Sequence, residues 1–517
     1  MTCPEILVFL LTRYRCSMLF QVFWILALIF AADPMHEAHA AQLQAGVAKV
    51  DITDREAGLV NDPLYVKALV LKDGNTRAVI ITVDVVAIAE IGPIGSDYLV
   101  KVRARLQKDL AIDPAHVLIN ASHCHGKVCA DVEERTVRAV TLAAQNMVSV
   151  QVAAGSGYED RIMENRRLLM KDGSEADVRH AYSLPADEEV AQIGPVDPEI
   201  GLLRLDRENG QPFAVVYNFA CHPIQGVPNG GNTADMIGFA SKVIEDNLGQ
   251  EVIALFLQGC GGDINPVLYK DVSHPRDAEP LGNLLGLSAM RALTKMECKE
   301  GRGLKVIQEV LALPRASLEQ RIASMQSERE KLLQSLQGTS LNLKTFVPLV
   351  VKYKYSPEFP SYYSHRYLHE HRHGRDGLKR LDAENRRNMD AYIHNIYTME
   401  QLSRLQINLR LLQKHQAQNR AAGQETIDVE VVGMRIGDFR LVSFPGELTV
   451  QIGLNIKQAS PHPFTFVAGY SNGYIYYAPT AQQLHNVGGA QEDSDCVLAP
   501  PWQKIYETKA LEILKRL

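Results

Sequence analysis

Two imidazoles one residue apart, His123 and His125, lie in Asn120-Ala121-Ser122-His123-Cys124-His125-Gly126, directly after the apolar run Val117-Leu118-Ile119. A third, His222, stands before Pro223 after the run Phe213-Ala214-Val215-Val216-Tyr217. Asp263 sits in a Gly-rich stretch, residues 259–266, that follows Val252–Leu257. Glu447 ends Pro445-Gly446-Glu447, and Tyr474 ends Gly469-Tyr470-Ser471-Asn472-Gly473-Tyr474. Zinc takes imidazole nitrogens and carboxylate oxygens in sites of about four ligands. His123, His222 and Glu447 offer two neutral ligands and one anionic one, leaving a position for water, whose pKa falls to about 7 on the metal. Asp263 and the carbonyls beside it are suited to orient a ligand histidine from behind. Taken singly, each segment also reads as a packed histidine or an ordinary turn. The set points to metal-assisted hydrolysis.

Such a set works only if the strands that carry it end in one place. Runs rich in Val and Ile, at 78–83, 117–119, 213–217 and 252–257, alternate with helical patterns at 96–110 and 278–296. That alternation predicts an α/β fold, a mixed sheet covered by helices on both faces. In open α/β sheets ligands bind beyond the carboxyl ends of the strands. If the strands share a sheet, the histidines, Asp263, Glu447 and Tyr474 meet in one crevice there.

Residues 317–421 break the pattern. Ser317-Leu318-Glu319-Gln320 has the form of a capping box. Leu318, Ile322, Met325, Leu332 and Leu336 form an apolar stripe, and a second helical stretch runs over about 383–416. The segment reads as a helical hairpin inserted into the α/β domain, with a loop containing Pro and Tyr between its arms. Its His365, His369, His371 and His373 are interleaved with charged residues and read as a solvated loop. Strand patterns return at 427–432, 439–444 and 464–467.

Hydrophobic content of 46% and charged content of 22% are those of a globular protein. A net charge of −6 gives no electrostatic footprint for nucleic acid. Arg13 and Arg15 precede an apolar run at 18–32, and Ala38-His39-Ala40 follows. That is the layout of a secretory signal over residues 1–40, giving a secreted or periplasmic chain from about Ala41. The alternative is an uncleaved membrane anchor. Six cysteines remain after cleavage, and export permits disulfides among them.

In this order the segments resemble the neutral/alkaline non-lysosomal ceramidases and their bacterial ceramidase-like relatives. The likeness spans most of residues 43–493. It rests on Ala45–Thr53, Val83–Ile88, the stretch around His123, Asn165-Arg166-Arg167, Cys221-His222-Pro223, Ala234–Ala240, Gln258–Pro266, Phe444–Glu447 and Gly469–Tyr474. The resemblance implies His123, His222, Glu447 and Tyr474 as zinc ligands. It implies His125 as the residue that handles protons, and Arg166 as a substrate contact. The implied reaction is zinc-dependent hydrolysis of an N-acyl amide, ceramide or a related lipid amide, with peripheral membrane contact.

Three departures accompany it. The family has serine in Gly-Asp-x-Ser-Pro where this chain has Asn265. Asparagine cannot act as the nucleophile, but its amide can donate to an oxyanion, so Asn265 enters the catalytic set in that role. The family has a tyrosine after a Gly-rich turn where this chain reads Gly488-Gly489-Ala490, and too little chain follows the last match for the family's immunoglobulin-like C-terminal domain. Two rival readings follow: a zinc-dependent esterase or amidase acting on a sugar or peptide, and a binding protein on an inactive scaffold.

Overall fold

In the computed structural model the described residues are 42–178, 185–249, 251–269, 271, 273–300, 303–355, 364–486 and 490–517. The segment 1–40 read as a secretory signal and the Gly488-Gly489 turn lie outside them. Leu43–Leu517 forms one compact unit.

Among the described residues the larger sheet has nine strands. Its main path runs Ile253–Gln258, Pro212–Phe219, Glu199–Arg207, Val148–Tyr158, Gln44–Asp51, Tyr65–Asp73, Thr76–Val83 and Val117–Ala121, with Lys299–Glu300 paired to Val148–Tyr158. The strand pairs at the two ends are parallel and the central ones antiparallel. A second sheet of four strands holds Leu304–Pro314, Thr426–Ile436, Phe439–Ser443 and Thr465–Ala468.

The strands read as unbroken apolar runs because both faces are buried. On Val117–Ala121, Leu118 enters the layer between the sheets, with Val216, Leu255, Leu441 and Phe466. Its neighbours Val117 and Ile119 face a separate layer with Val102, Leu106, Val137 and Val140 of helices Tyr98–Leu110 and Val132–Gln145. Helices Asp235–Leu248 and Glu279–Leu293 cover Val215, Tyr217, Ala254 and Phe256. Each fully buried Val, Leu, Ile or Phe among them contributes about 1.5–3 kcal/mol relative to exposure. The mixed α/β architecture flanked by helices is as expected, but the strands carrying the chemistry belong to two sheets. Periodicity marks a strand as buried and is silent on whether a helix or another sheet buries it.

The ends of the larger sheet are drawn together by Asn120. Its Oδ1 accepts the N–H of Gln258, 2.9 Å away, and its Nδ2 donates to the carbonyl of Gly469 at 2.7 Å. Three strand ends, two from one sheet and one from the other, therefore converge on one fully buried amide.

The helical insertion lies between Leu304–Pro314 and Thr426–Ile436, which pair with each other in antiparallel register. It comprises Glu319–Ser335, Leu343–Tyr355, Ser364–Arg372 and the long helix Gly377–Ala422. Leu318 and Met325 pack on Leu405, Leu409 and Leu412. Between the arms expected from the stripe, two further helices replace the expected loop. His365, His369 and His371 of the His-rich tract lie in Ser364–Arg372 and His373 in the turn just after it, and the spacing of four brings His369 and His373 together with ring centroids 4.5 Å apart. Cys124, Cys129, Cys221, Cys260, Cys298 and Cys496 are all free thiols.

Candidate metal centre and surrounding cavity

His123 follows strand Val117–Ala121 with φ of 69°, a left-handed conformation that costs a residue with a side chain about 1–2 kcal/mol. The turn is held because His123 N–H donates to the Val85 carbonyl at 2.9 Å. Of the eight non-glycine residues with positive φ among the described residues, His123, Asp235, Tyr470, Asn472 and Tyr476 all belong to this region. Backbone strain of this kind concentrates where a site dictates side-chain direction.

The His123 ring lies 2.6 Å through Nδ1 from the carbonyl of Val86. His222 makes the same contact to the carbonyl of Ile264, at 3.0 Å. A carbonyl only accepts, so both Nδ1 atoms carry the proton and both Nε2 atoms present lone pairs. Glu447, on the short strand Glu447–Leu448, meets them. Its Oε2 lies 3.1 Å from His222 Nε2 and 3.5 Å from His123 Nε2. One ligand atom from each of the three residues lies within 4.8 Å of the others, and all three are buried. Three electron-pair donors facing one another in a dry site need a cation between them or a proton on a ring. Burial depresses His123 to a pKa of about 4 despite the attraction of Glu447, which disfavours the proton. Burial pushes the Glu447 carboxyl up, but the two histidines beside it, His123 first, and the hydrogen bond from Tyr474 outweigh it and hold the group well below the usual carboxylate range. Two neutral imidazoles and one carboxylate are the donor set that zinc takes.

Tyr474 donates to Glu447 Oε1, and Tyr470 donates to Oε2 at 3.2 Å. Burial and the neighbouring carboxylate keep both phenols protonated. The Tyr470 ring also lies against His123, with centroids 4.3 Å apart. Tyr470 was not singled out from the sequence, although it sits in the same Gly469–Tyr474 stretch. Strand alternation gives no direction for a residue in a left-handed turn.

Arg166 is buried and lines the cavity above the three residues. Its Nε pairs with Glu492, Nη1 donates to Asn265 Oδ1 at 3.0 Å, and Nη2 donates to the Gly262 carbonyl at 2.5 Å and to the Tyr477 hydroxyl at 3.2 Å. Asn265 thus turns its amide oxygen to Arg166 and does not itself line the cavity. Asp263 faces away from the histidines. Its Oδ1 accepts the N–H of Val450 at 2.8 Å, at the start of helix Val450–Ala459, and Arg167 is 3.9 Å from Oδ2. Of the two orienting groups expected here, the carbonyl of Ile264 touches His222 and the Asp263 side chain does not. Glu492, the partner of Arg166, carries no signal in the sequence, because the pairing spans 326 residues.

His125 is open to the cavity, with its ring centroid 5.8 Å from that of His123. The surrounding walls, and then His123, hold its pKa below the ordinary histidine value. Cys124 is buried in the apolar core. The cavity holds about 770 Å³, and Val86, Ile91, Ile224 and Val227 share its lining with Asn232, Thr233 and Tyr476. The helical insertion reaches it too: Lys414 lines the cavity and lies 4.4 Å above the Tyr476 ring. Behind that tyrosine, His415 is 2.6 Å from Asp495, and Gln418 donates to the Tyr476 hydroxyl at 2.9 Å.

No known protein-family model matches this sequence, and no curated protein sequence matches it. Solved structures do. A neutral ceramidase from Pseudomonas aeruginosa is 15% identical, with a TM-score of 0.56 over 92% of this chain and 75% of that one. A ceramidase complexed with C2 is 17% identical, with a TM-score of 0.58 over 92% of this chain and 76% of that one. At these identities the likeness is one of fold: the chain folds as those ceramidases do.

Proposed function

We propose that this chain is a zinc-dependent hydrolase that cleaves an N-acyl amide, the carbon–nitrogen bond of a lipid amide or a close analogue. The observation that carries the reading is the buried triad of His123, His222 and Glu447, whose three donor atoms face one another at a cavity. Zinc held there supplies Lewis acidity, polarising a carbonyl and making water acidic enough to lose a proton near neutral pH. The carbonyls of Val86 and Ile264 fix the tautomers that leave both Nε2 atoms free to bind. Tyr474 and Tyr470 hold the two oxygens of Glu447 in place. His125, neutral and open to the cavity, takes a proton from water and returns it to the leaving amine. Arg166, paired with Glu492 and fixed by Asn265 and the Gly262 carbonyl, opposes negative charge developing on the carbonyl oxygen. Asn265 serves by positioning Arg166.

Metal analysis of protein purified in zinc-containing buffer tests the reading. One zinc per chain is expected, with loss of metal in His123→Ala and His222→Ala and retention in His125→Ala. Activity on a panel of N-acyl amides and matched esters should fall at least about a hundredfold in His125→Ala, the usual scale of acid–base catalysis. Protein that holds no stoichiometric metal overturns the assignment. Ester cleavage without amide cleavage moves it to the esterase reading.

A further inference from the structure

The outer face of helix Leu343–Tyr355 is apolar and open to solvent. Leu343, Val347, Val351 and Tyr355 recur every four residues on one side, with exposures of 64%, 50%, 50% and 84%. The opposite side is the packed one. Phe346 stacks on Tyr392 of the long helix with centroids 4.3 Å apart, and buried Tyr353 donates to Asp382 Oδ1 at 3.1 Å. The helix therefore already has its partner inside the protein, and the apolar stripe faces away from it. Lys344 and Lys354 are exposed, and at 100° per residue both project within the arc of that stripe. A chain with net charge −6 carries ten Lys and Arg against four Asp and Glu in the described residues 343–355 and 364–387. Apolar side chains flanked by cations on a helix that lies along a surface are what an anionic bilayer interface takes up.

We infer that the distal part of the helical insertion is a membrane-docking surface, seated on bilayers rich in anionic lipid through Leu343, Val347, Val351 and Tyr355. A second copy of the chain fits this face poorly, since pairing it with itself brings two concentrations of positive charge together. Nucleic acid would use the cations and leave the apolar stripe in water. The inference rests on the surface alone and stands independently of the metal and the bond cleaved.

Residues 43–517, the compact unit, give the test free of the apolar N-terminal run. Co-sedimentation is measured with vesicles of phosphatidylcholine alone and of phosphatidylcholine mixed with phosphatidylglycerol. Binding is expected to the mixed vesicles only, weakening as salt rises from about 0.05 to 0.5 M. The double variant V347E/V351E, and separately K344E/K354E, should each lower the affinity about tenfold or more. All four positions are exposed, so circular dichroism and metal content should not change. Absence of binding to mixed vesicles overturns the inference, as does binding that both variants leave intact. A concentration-dependent dimer that V347E/V351E abolishes, seen by light scattering without vesicles, assigns the face to a second copy instead.

Discussion

Asp84 illustrates how much a single buried group near the site sets the molecule's response to pH. Its Oδ2 accepts the N–H of Tyr65 at 2.8 Å, and burial raises its pKa to about 6 although Lys67 opposes the rise. A folded-state pKa above the unfolded value means that the folded protein binds this proton more tightly. The associated stability is complete below about pH 4 and lost as pH rises through about 6. Asp84→Asn removes the charge that folding disfavours. It should therefore stabilise the protein at pH 8, by on the order of 1–3 kcal/mol, and have little effect at pH 4. Denaturant unfolding of both proteins at the two pH values reads this directly, and an equal difference at both would show that the aspartate does not act through its titration. At the same scale, the ligand residue types were legible in the sequence, because few side chains bind zinc. An orienting carbonyl beside Asp263 was legible too, and Ile264 supplies it, but the carbonyl of Val86 behind His123 was not, since every residue has one.

At the scale of elements, the Gly259–Pro266 turn shows why a glycine is required. A Cβ on Gly262 would lie 2.7 Å from the Glu447 carbonyl oxygen and 2.8 Å from that of Leu448. These are backbone atoms of the strand that carries the carboxylate, and no rotamer change relieves the clash. Gly262→Ala should cost about 1–3 kcal/mol or more and weaken zinc binding, because Glu447 must move with its strand. Gly338→Ala, where nothing lies within 4 Å, serves as the control and should alter neither property. Normal zinc affinity in Gly262→Ala would mean that the two segments move independently. The α/β strands and helices that were read from the sequence fall within a few residues of the observed ones, since apolar runs are local, but strands such as Tyr65–Asp73, Val148–Tyr158 and Glu199–Arg207 and helices such as Val132–Gln145 and Val450–Ala459 were not read. The helices Leu343–Tyr355 and Ser364–Arg372 were missed because Pro348 and the dense charge hide their periodicity.

Across the described residues, stability comes from three large apolar layers and not from cross-links. All six cysteines of Leu43–Leu517 are free, and Cys124, Cys221, Cys260 and Cys496 are buried with their thiol pKa values raised, chiefly by desolvation. In protein comprising residues 43–517, reducing agent should leave the melting temperature unchanged, and six thiols per molecule should titrate after unfolding under non-reducing conditions. A melting temperature that falls in reductant would show a cross-link that contributes to the fold. The helical insertion belongs to this scale as well. Its long helix carries Lys414 to the cavity, while its distal helices turn an apolar, basic face outward.

The sequence by itself determined which strands are buried, where they end and which ligand-type side chains stand at those ends. These are properties of short windows: side-chain period, turn residues and donor chemistry. The tertiary structure alone decided that the strand ends belong to two sheets facing one another. It also turned Asp263 to Val450 and Asn265 to Arg166, and brought Glu492 to Arg166 from 326 residues away. Direction in a tight turn and partnership across hundreds of residues depend on how whole layers pack, and no local pattern encodes that.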